Sequence, residues 1–122
     1  MSTIKVDTIK NTSNVEVFTA KAWVNFDGTW TSGDPIRADG NVSSITDNGT
    51  GKYTISFTTA MPDTSYSCNV TGNRYDYPTD GANFQPWAHT FASGGVQITN
   101  GIPTTGTGSQ VDASIVSVVI FR

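Results

Sequence analysis

The sequence predicts an all-β chain, folded as an antiparallel β-sandwich or a jelly-roll-like single domain. Three observations predict it. Apolar and polar residues alternate with period two at Ala22–Phe26, Tyr53–Phe57 and Tyr66–Val70. Turn-forming clusters of Gly, Asn, Asp and Pro punctuate the chain at intervals that suit short strands. No stretch holds a helical apolar period over three turns.

In chain order, Ile4 and Val6 mark a short strand or extended arm, and 11–14 is a turn cluster followed by a brief extended segment at 15–18. Residues 1–20 are therefore read as an N-terminal arm and 21–122 as the sandwich domain. A Trp-bearing strand spans 20–27, with Trp23 read as a core residue. A Gly/Asp/Pro loop follows, with Trp30 as its anchor. One or two short strands between Ile36 and Ile45 lead into the Asp47–Gly51 turn, where two glycines and two Asx residues suit a hairpin with Tyr53–Phe57. Pro62 and Asp63 make the next turn, and Tyr66–Val70 the next strand, with Cys68 on its apolar beat as a small buried hydrophobe. Residues 72–90 show no sustained alternation and are read as a loop. After Gly94 and Gly95 comes a short strand at 96–98, then a Gly/Thr loop at 100–109 and a last strand over 111–121. Ile115–Phe121 is apolar on both beats, and such a strand must be covered on both faces. Two readings are open: a central strand of the sandwich, or a strand whose outer face meets another copy of the chain through Ile115, Val116, Val118 and Ile120.

Composition narrows function. Charged residues make up 14% of the 122, against about 25% in typical soluble domains, so Thr, Ser, Asn and Gly must supply the polar surface. The formal net charge is −3 and the seven Lys and Arg are scattered, which argues against nucleic acid as a partner. A single cysteine rules out an intrachain disulfide framework, and a single histidine rules out a multi-histidine metal site. Nine of the ten acidic residues are Asp, mostly beside Gly, Asn or Pro, where turns need them. No phosphate-loop, nucleophile-elbow or dinucleotide fingerprint is present, so no enzyme activity and no cofactor are expected. A signal peptide and a long apolar span are likewise not read in the chain, and neither membrane insertion nor secretion is expected.

A binding surface is easier to read. Tyr75, Asp76, Tyr77, Asp80, Asn83, Gln85 and Trp87 place amphipathic rings among amides and carboxylates within one segment. Rings offer area to the C–H faces of a sugar, and amides and carboxylates bond its hydroxyls. The plainer alternative is that Phe84 and Trp87 cap one end of the sandwich. His89 is read as a hydrogen-bonded structural residue.

The runs Lys21–Thr29, Ile36–Arg37, Asn41–Phe57 and Thr59–Pro62, with the opening Ile4–Ile9 and the closing Val118–Arg122, resemble the C-terminal domain of tailed-bacteriophage tail fibres, especially those of cyanophages and other aquatic phages. The resemblance implies a virion structural protein, usually a homotrimer, made in the host cytoplasm and exposed for recognition of the host surface. The ligand would be a host surface polysaccharide. In the alternative, a capsid or tail decoration or adaptor protein, the partners are other virion proteins. Residues 72–110 fall outside the resemblance.

Overall fold

A computed structural model describes residues 3–73, 85–102 and 109–122. Every regular element among them is a strand: β1 (Ala22–Phe26), β2 (Ile36–Gly40), β3 (Val42–Gly49), β4 (Lys52–Phe57), β5 (Ser67–Asn73), β6 (Trp87–Ala92), β7 (Gly95–Thr99), β8 (Gly101–Ile102), β9 (Ser109–Gln110) and β10 (Ile115–Phe121). They form two four-stranded antiparallel sheets, ordered β2-β1-β10-β5 (sheet I) and β3-β4-β7-β6 (sheet II), plus the small β8-β9 pair. The sandwich expected from the sequence is the fold found.

The core follows from alternation. Ala22, Val24 and Phe26 of β1 and Val116, Val118 and Ile120 of β10 face Tyr53, Ile55 and Phe57 of β4 and Val96 and Ile98 of β7. Two tyrosines close this core at its ends. The Tyr53 hydroxyl lies 2.9 Å from the Gly28 carbonyl and 3.0 Å from Asp112 Oδ1, while the Tyr66 hydroxyl lies 2.9 Å from both the Ala92 and Gly95 carbonyls. Their rings meet Phe26 and Phe57 edge-on, the favoured aromatic geometry.

Strand directions give the sandwich two distinct ends. The upper end gathers Gly28, the Gly49–Gly51 turn, Asn73, Gln85 and the Val111–Ser114 segment. The lower end gathers Lys21, Asn41, Tyr66 and Arg122. Asn41, at a φ of 58°, ties the lower end together where the chain crosses from sheet I to sheet II. Its side-chain amide donates to the Lys21 and Thr59 carbonyls and its Oδ1 accepts from the Thr59 amide.

Several expectations need correction. Trp23 is not a core residue. It points away from sheet II and is 43% exposed, its indole lying over Gly40 where a β-carbon would be 2.3 Å from Nε1. Trp30 does pack against the core, near the Tyr53 ring. The segment 87–92 is a strand, not loop: Thr90, at a φ of 51°, forms a bulge between His89 and Phe91 that breaks the alternation. The last strand starts at Ile115, because Val111–Ser114 is drawn aside to serve the upper end. Within β10, Val116, Val118 and Ile120 are buried in the chain's own core, so no partner copy can reach them. The outward residues are Ile115, Ser117, Val119 and Phe121.

Candidate binding face on sheet II

The outer face of sheet II is assembled from the polar beats of strands whose apolar beats make the core. Tyr53, Ile55 and Phe57 point inward, so Thr54 and Ser56 point outward. Val96 and Ile98 point inward, so Gln97 and Thr99 point outward. Ala88 packs on the core, which turns Trp87 and His89 to the same outer face. Register sets Thr46 beside Thr54, Thr54 beside Gln97, and Gln97 beside His89.

Local bonds order this face. Asn48 Nδ2 donates to Thr54 Oγ1 at 2.6 Å. The His89 ring is held between two hydroxyls, with Nδ1 3.0 Å from Thr90 Oγ1 and Nε2 2.9 Å from Thr99 Oγ1. One ring nitrogen donates and the other accepts in the neutral imidazole. This is the hydrogen-bonded structural role read from the sequence, and it fixes the bulge at Thr90. Beside the bulge runs a shallow groove of about 210 Å³, walled by Thr54, Ser56, Thr90 and Gln97 and floored by Gly94 and Gly95. A β-carbon at Gly95 would stand 2.4 Å from the Ile55 carbonyl, so the floor there has to be bare backbone.

Trp87 stands at the upper end of this face, 47% exposed, with Gln85 exposed two residues before it. The Gln85 amide is fixed by a bond to the Gly101 carbonyl. Tyr75, Asp76, Tyr77, Asp80 and Asn83, like the capping role of Phe84, lie outside the described residues. The structure therefore places two of the seven expected ligand residues. It adds His89, Thr90, Gln97 and Thr54, whose polar beats were visible in the sequence but only become one surface through strand register.

Electrostatically the face is nearly neutral. Strands β4, β6 and β7 carry one charged side chain, Lys52, because the aspartates are used elsewhere. Asp27, Asp34, Asp47 and Asp63 each accept the backbone amide two residues on, as their turn-like surroundings predicted. The Thr29 hydroxyl, its amide and the Arg37 charge hold the Asp27 carboxyl below its ordinary value. Asp112 instead receives the Gly51 amide at 2.7 Å and the Tyr53 hydroxyl. Burial, with the neighbouring Asp112 charge, pushes the Tyr53 phenol well above its ordinary value of 10.0. Cys68 is half-buried against the core, and burial pushes its thiol up to about 11, which suits a packing residue rather than a nucleophile. Among the described residues no three His, Cys, Asp or Glu side chains gather as a metal-binding group.

A flat, neutral surface of hydroxyls and amides with an indole at its rim can bond a neutral polyol and stack on its C–H face. Its one charged side chain, Lys52, stands exposed at the upper edge, beside Thr99. No known family, curated protein or solved structure matches the chain.

Proposed function

We propose that this chain is a phage virion protein, a tail-fibre-like, self-associating receptor-binding domain whose ligand is a neutral glycan of the host cell surface. The observation that carries the reading is the continuity of one polar face: Trp87 stands at the upper end of sheet II, and His89, Gln97 and Thr54 run from it down to the Gly94–Gly95 groove. Rings, amides and hydroxyls held by strand register on a rigid sheet are what recognition of a polyol needs. The ordered resemblance of 21–62 to tail-fibre C-terminal domains supports the same reading.

The test is adsorption of fluorescently labelled protein to a panel of aquatic bacteria, with a glycan array in parallel. Binding is expected to a neutral glycan and to fall at least tenfold in Trp87→Ala and in Gln97→Ala. Trp87 is half-buried and Gln97 partly exposed, so Tm should fall by a few degrees at most, and circular dichroism at the assay temperature should show both variants fully folded. Binding that persists in both variants removes this face from the proposal. A second reading, a decoration or adaptor protein packing on other virion proteins, is favoured by the apolar residues of the arm. It predicts retention on purified virions and no adsorption to cells.

A further inference from the structure

The 3–20 arm is anomalous for a segment in water. Its middle, 9–17, is a small hairpin flanked by extended chain: Lys10 bridges Glu16, the Val17 amide donates to the Ile9 carbonyl, and Asn11 Oδ1 accepts from the Ser13 and Val15 amides. An isolated two-stranded hairpin is at best marginally stable. Yet the arm exposes Ile4 at 88%, Phe18 at 79%, and Val6, Ile9, Val15 and Val17 at 42% or more. Between the arm and the body lies a hollow of about 580 Å³, with Ile9, Val17 and Phe18 on one side and Lys21, Phe121 and Arg122 on the other, so the arm is not packed down on its own body. Taking roughly 170–240 Å² for a fully exposed Val to Phe, the six side chains present on the order of 700 Å², more than the ~300–600 Å² patch usual on a monomer.

A matching uncovered surface lies on sheet I. The outer face of β1 and β10 carries a groove of about 360 Å³ around Trp23 and Val119, with Asn25, Asn69, Thr71 and Ser117 as neutral walls. The Lys21 amide bonds the Ile120 carbonyl, so the arm leaves the body within two residues of the paired Trp23 and Val119.

We propose that the arm is an intersubunit clasp: the 3–20 arm of one copy lies in the Trp23–Val119 groove of a second copy. The six side chains expose on the order of 700 Å² in all, and the half on one face of the arm, added to the exposed area of Trp23 and Val119, gives an apolar centre for an interface whose remainder is polar rim. Donor and acceptor are adjacent on the same chain, so copies related by closed symmetry bury both in one continuous contact. The groove is uncharged and so presents no repulsion to Lys5, Lys10 or Glu16 of the incoming arm. The clasp also covers the second apolar face of β10. It rests on the self-association part of the proposed function and is independent of the glycan part.

The experiment is light scattering coupled to size exclusion at tens of micromolar. Wild type is expected at a multiple of the 13.0 kDa chain mass. Ile4→Asp with Phe18→Asp, and separately Val119→Lys, should each return it to one chain mass, with circular dichroism unchanged. In a Cys68→Ala background, the double variant Phe18→Cys, Val119→Cys should form, on oxidation, species of two or more chains whose crosslink maps between positions 18 and 119 of different copies, distinct from any 18–18 or 119–119 link in the single variants. A wild type that stays at one chain mass overturns both association and clasp. An assembled wild type whose arm variant keeps its mass overturns the clasp alone, as does a cysteine pair that closes within one chain.

Discussion

Tyr53→Phe is the most informative single change in this fold. The ring stays, with its edge-on contact to Phe26 at 5.2 Å between centroids, so the apolar packing is preserved. Only the hydroxyl is lost, and that oxygen joins three distant pieces of chain: β4, the Gly28 carbonyl after β1, and Asp112 before β10. A buried hydrogen bond involving a charged group contributes about 1.5–3 kcal/mol, and a buried carbonyl left without its donor adds to the loss. Gly28 is buried, whereas Asp112 keeps the Gly51 amide, so the cost falls mainly on the carbonyl. A destabilisation of about 2 kcal/mol at pH 8 is expected. With an unfolding entropy of about 2.1 cal/mol/K per residue, that lowers Tm by roughly 8 °C. Urea titration and calorimetry at matched protein concentration measure both. The pH dependence supplies an independent sign. The folded state holds the phenol neutral above its ordinary value, so the stabilisation is intact below pH 10 and lost as pH rises beyond it. The gap between wild type and variant should therefore narrow above pH 10. A gap under 0.5 kcal/mol at pH 8, or one that widens with pH, would refute the assignment of Tyr53 as the clamp of the upper end.

Other outcomes follow from single contacts. Gly51 has a φ of 69°, and a β-carbon there would lie 2.4 Å from the Asn100 carbonyl. Gly49 has a φ of 122° and open space. Gly51→Ala should thus cost well over 2 kcal/mol by denaturant unfolding, and Gly49→Ala about 1 kcal/mol from backbone strain alone. The Cys68 thiol is raised from an ordinary 9.0 to about 11, so its stabilising contribution is present below pH 9 and lost between about 9 and 11. Cys68→Ser should flatten the alkaline decline over that window, and a thiol reagent at pH 8 should react slowly until urea is added. Gly72→Ala would bring a β-carbon within 2.5 Å of Asn100 Oδ1, a buried acceptor whose amide is already fixed to the Val111 carbonyl. A Tm loss of several degrees is expected by calorimetry.

The sandwich was legible because its core strands are simple alternators: Ala22–Phe26 and Tyr53–Phe57 bury every other residue. The turns were legible because Asp beside Gly, Asn or Pro readily accepts the amide two residues on, and four of the aspartates do so here. Legibility failed where a local pattern was overruled from a distance. Trp23 sits between inward Ala22 and Val24, so alternation alone sends it outward. Its size suggested core, but Gly40 on the neighbouring strand gives its ring a bed on the surface. The bulge at Thr90 hides β6 from any period-two reading, because the two halves of the strand are out of phase. Beside it, His89 bridges to Thr99 on the neighbouring strand, a contact that no local window contains. For β10, alternation identified a strand apolar on both beats without saying which beat faces inward. That phase is set by pairing with β1 and β5, and it moves the outward role from Val116, Val118 and Ile120 to Val119 and Phe121.

The low charge of the chain and its two kinds of surface have one physical origin. A sandwich of this size exposes the outer faces of two sheets, and each must be made soluble without many Lys or Glu. Sheet II does so with hydroxyls and amides that bond water or, in its place, the hydroxyls of a sugar; desolvating them costs little where each bond is replaced in kind. Sheet I is different. Trp23 and Val119 sit among uncharged neighbours, beside an arm that carries apolar side chains on a hairpin too small to bury them. At about 25 cal/mol per Å² of apolar surface, leaving such a patch wet forgoes several kcal/mol, comparable to the net stability of a whole domain. The two faces thus favour different partners. In the proposed reading sheet II takes a reversible, hydrogen-bonding ligand and sheet I with the arm a lasting apolar contact, so that self-association through sheet I would leave sheet II free to bind.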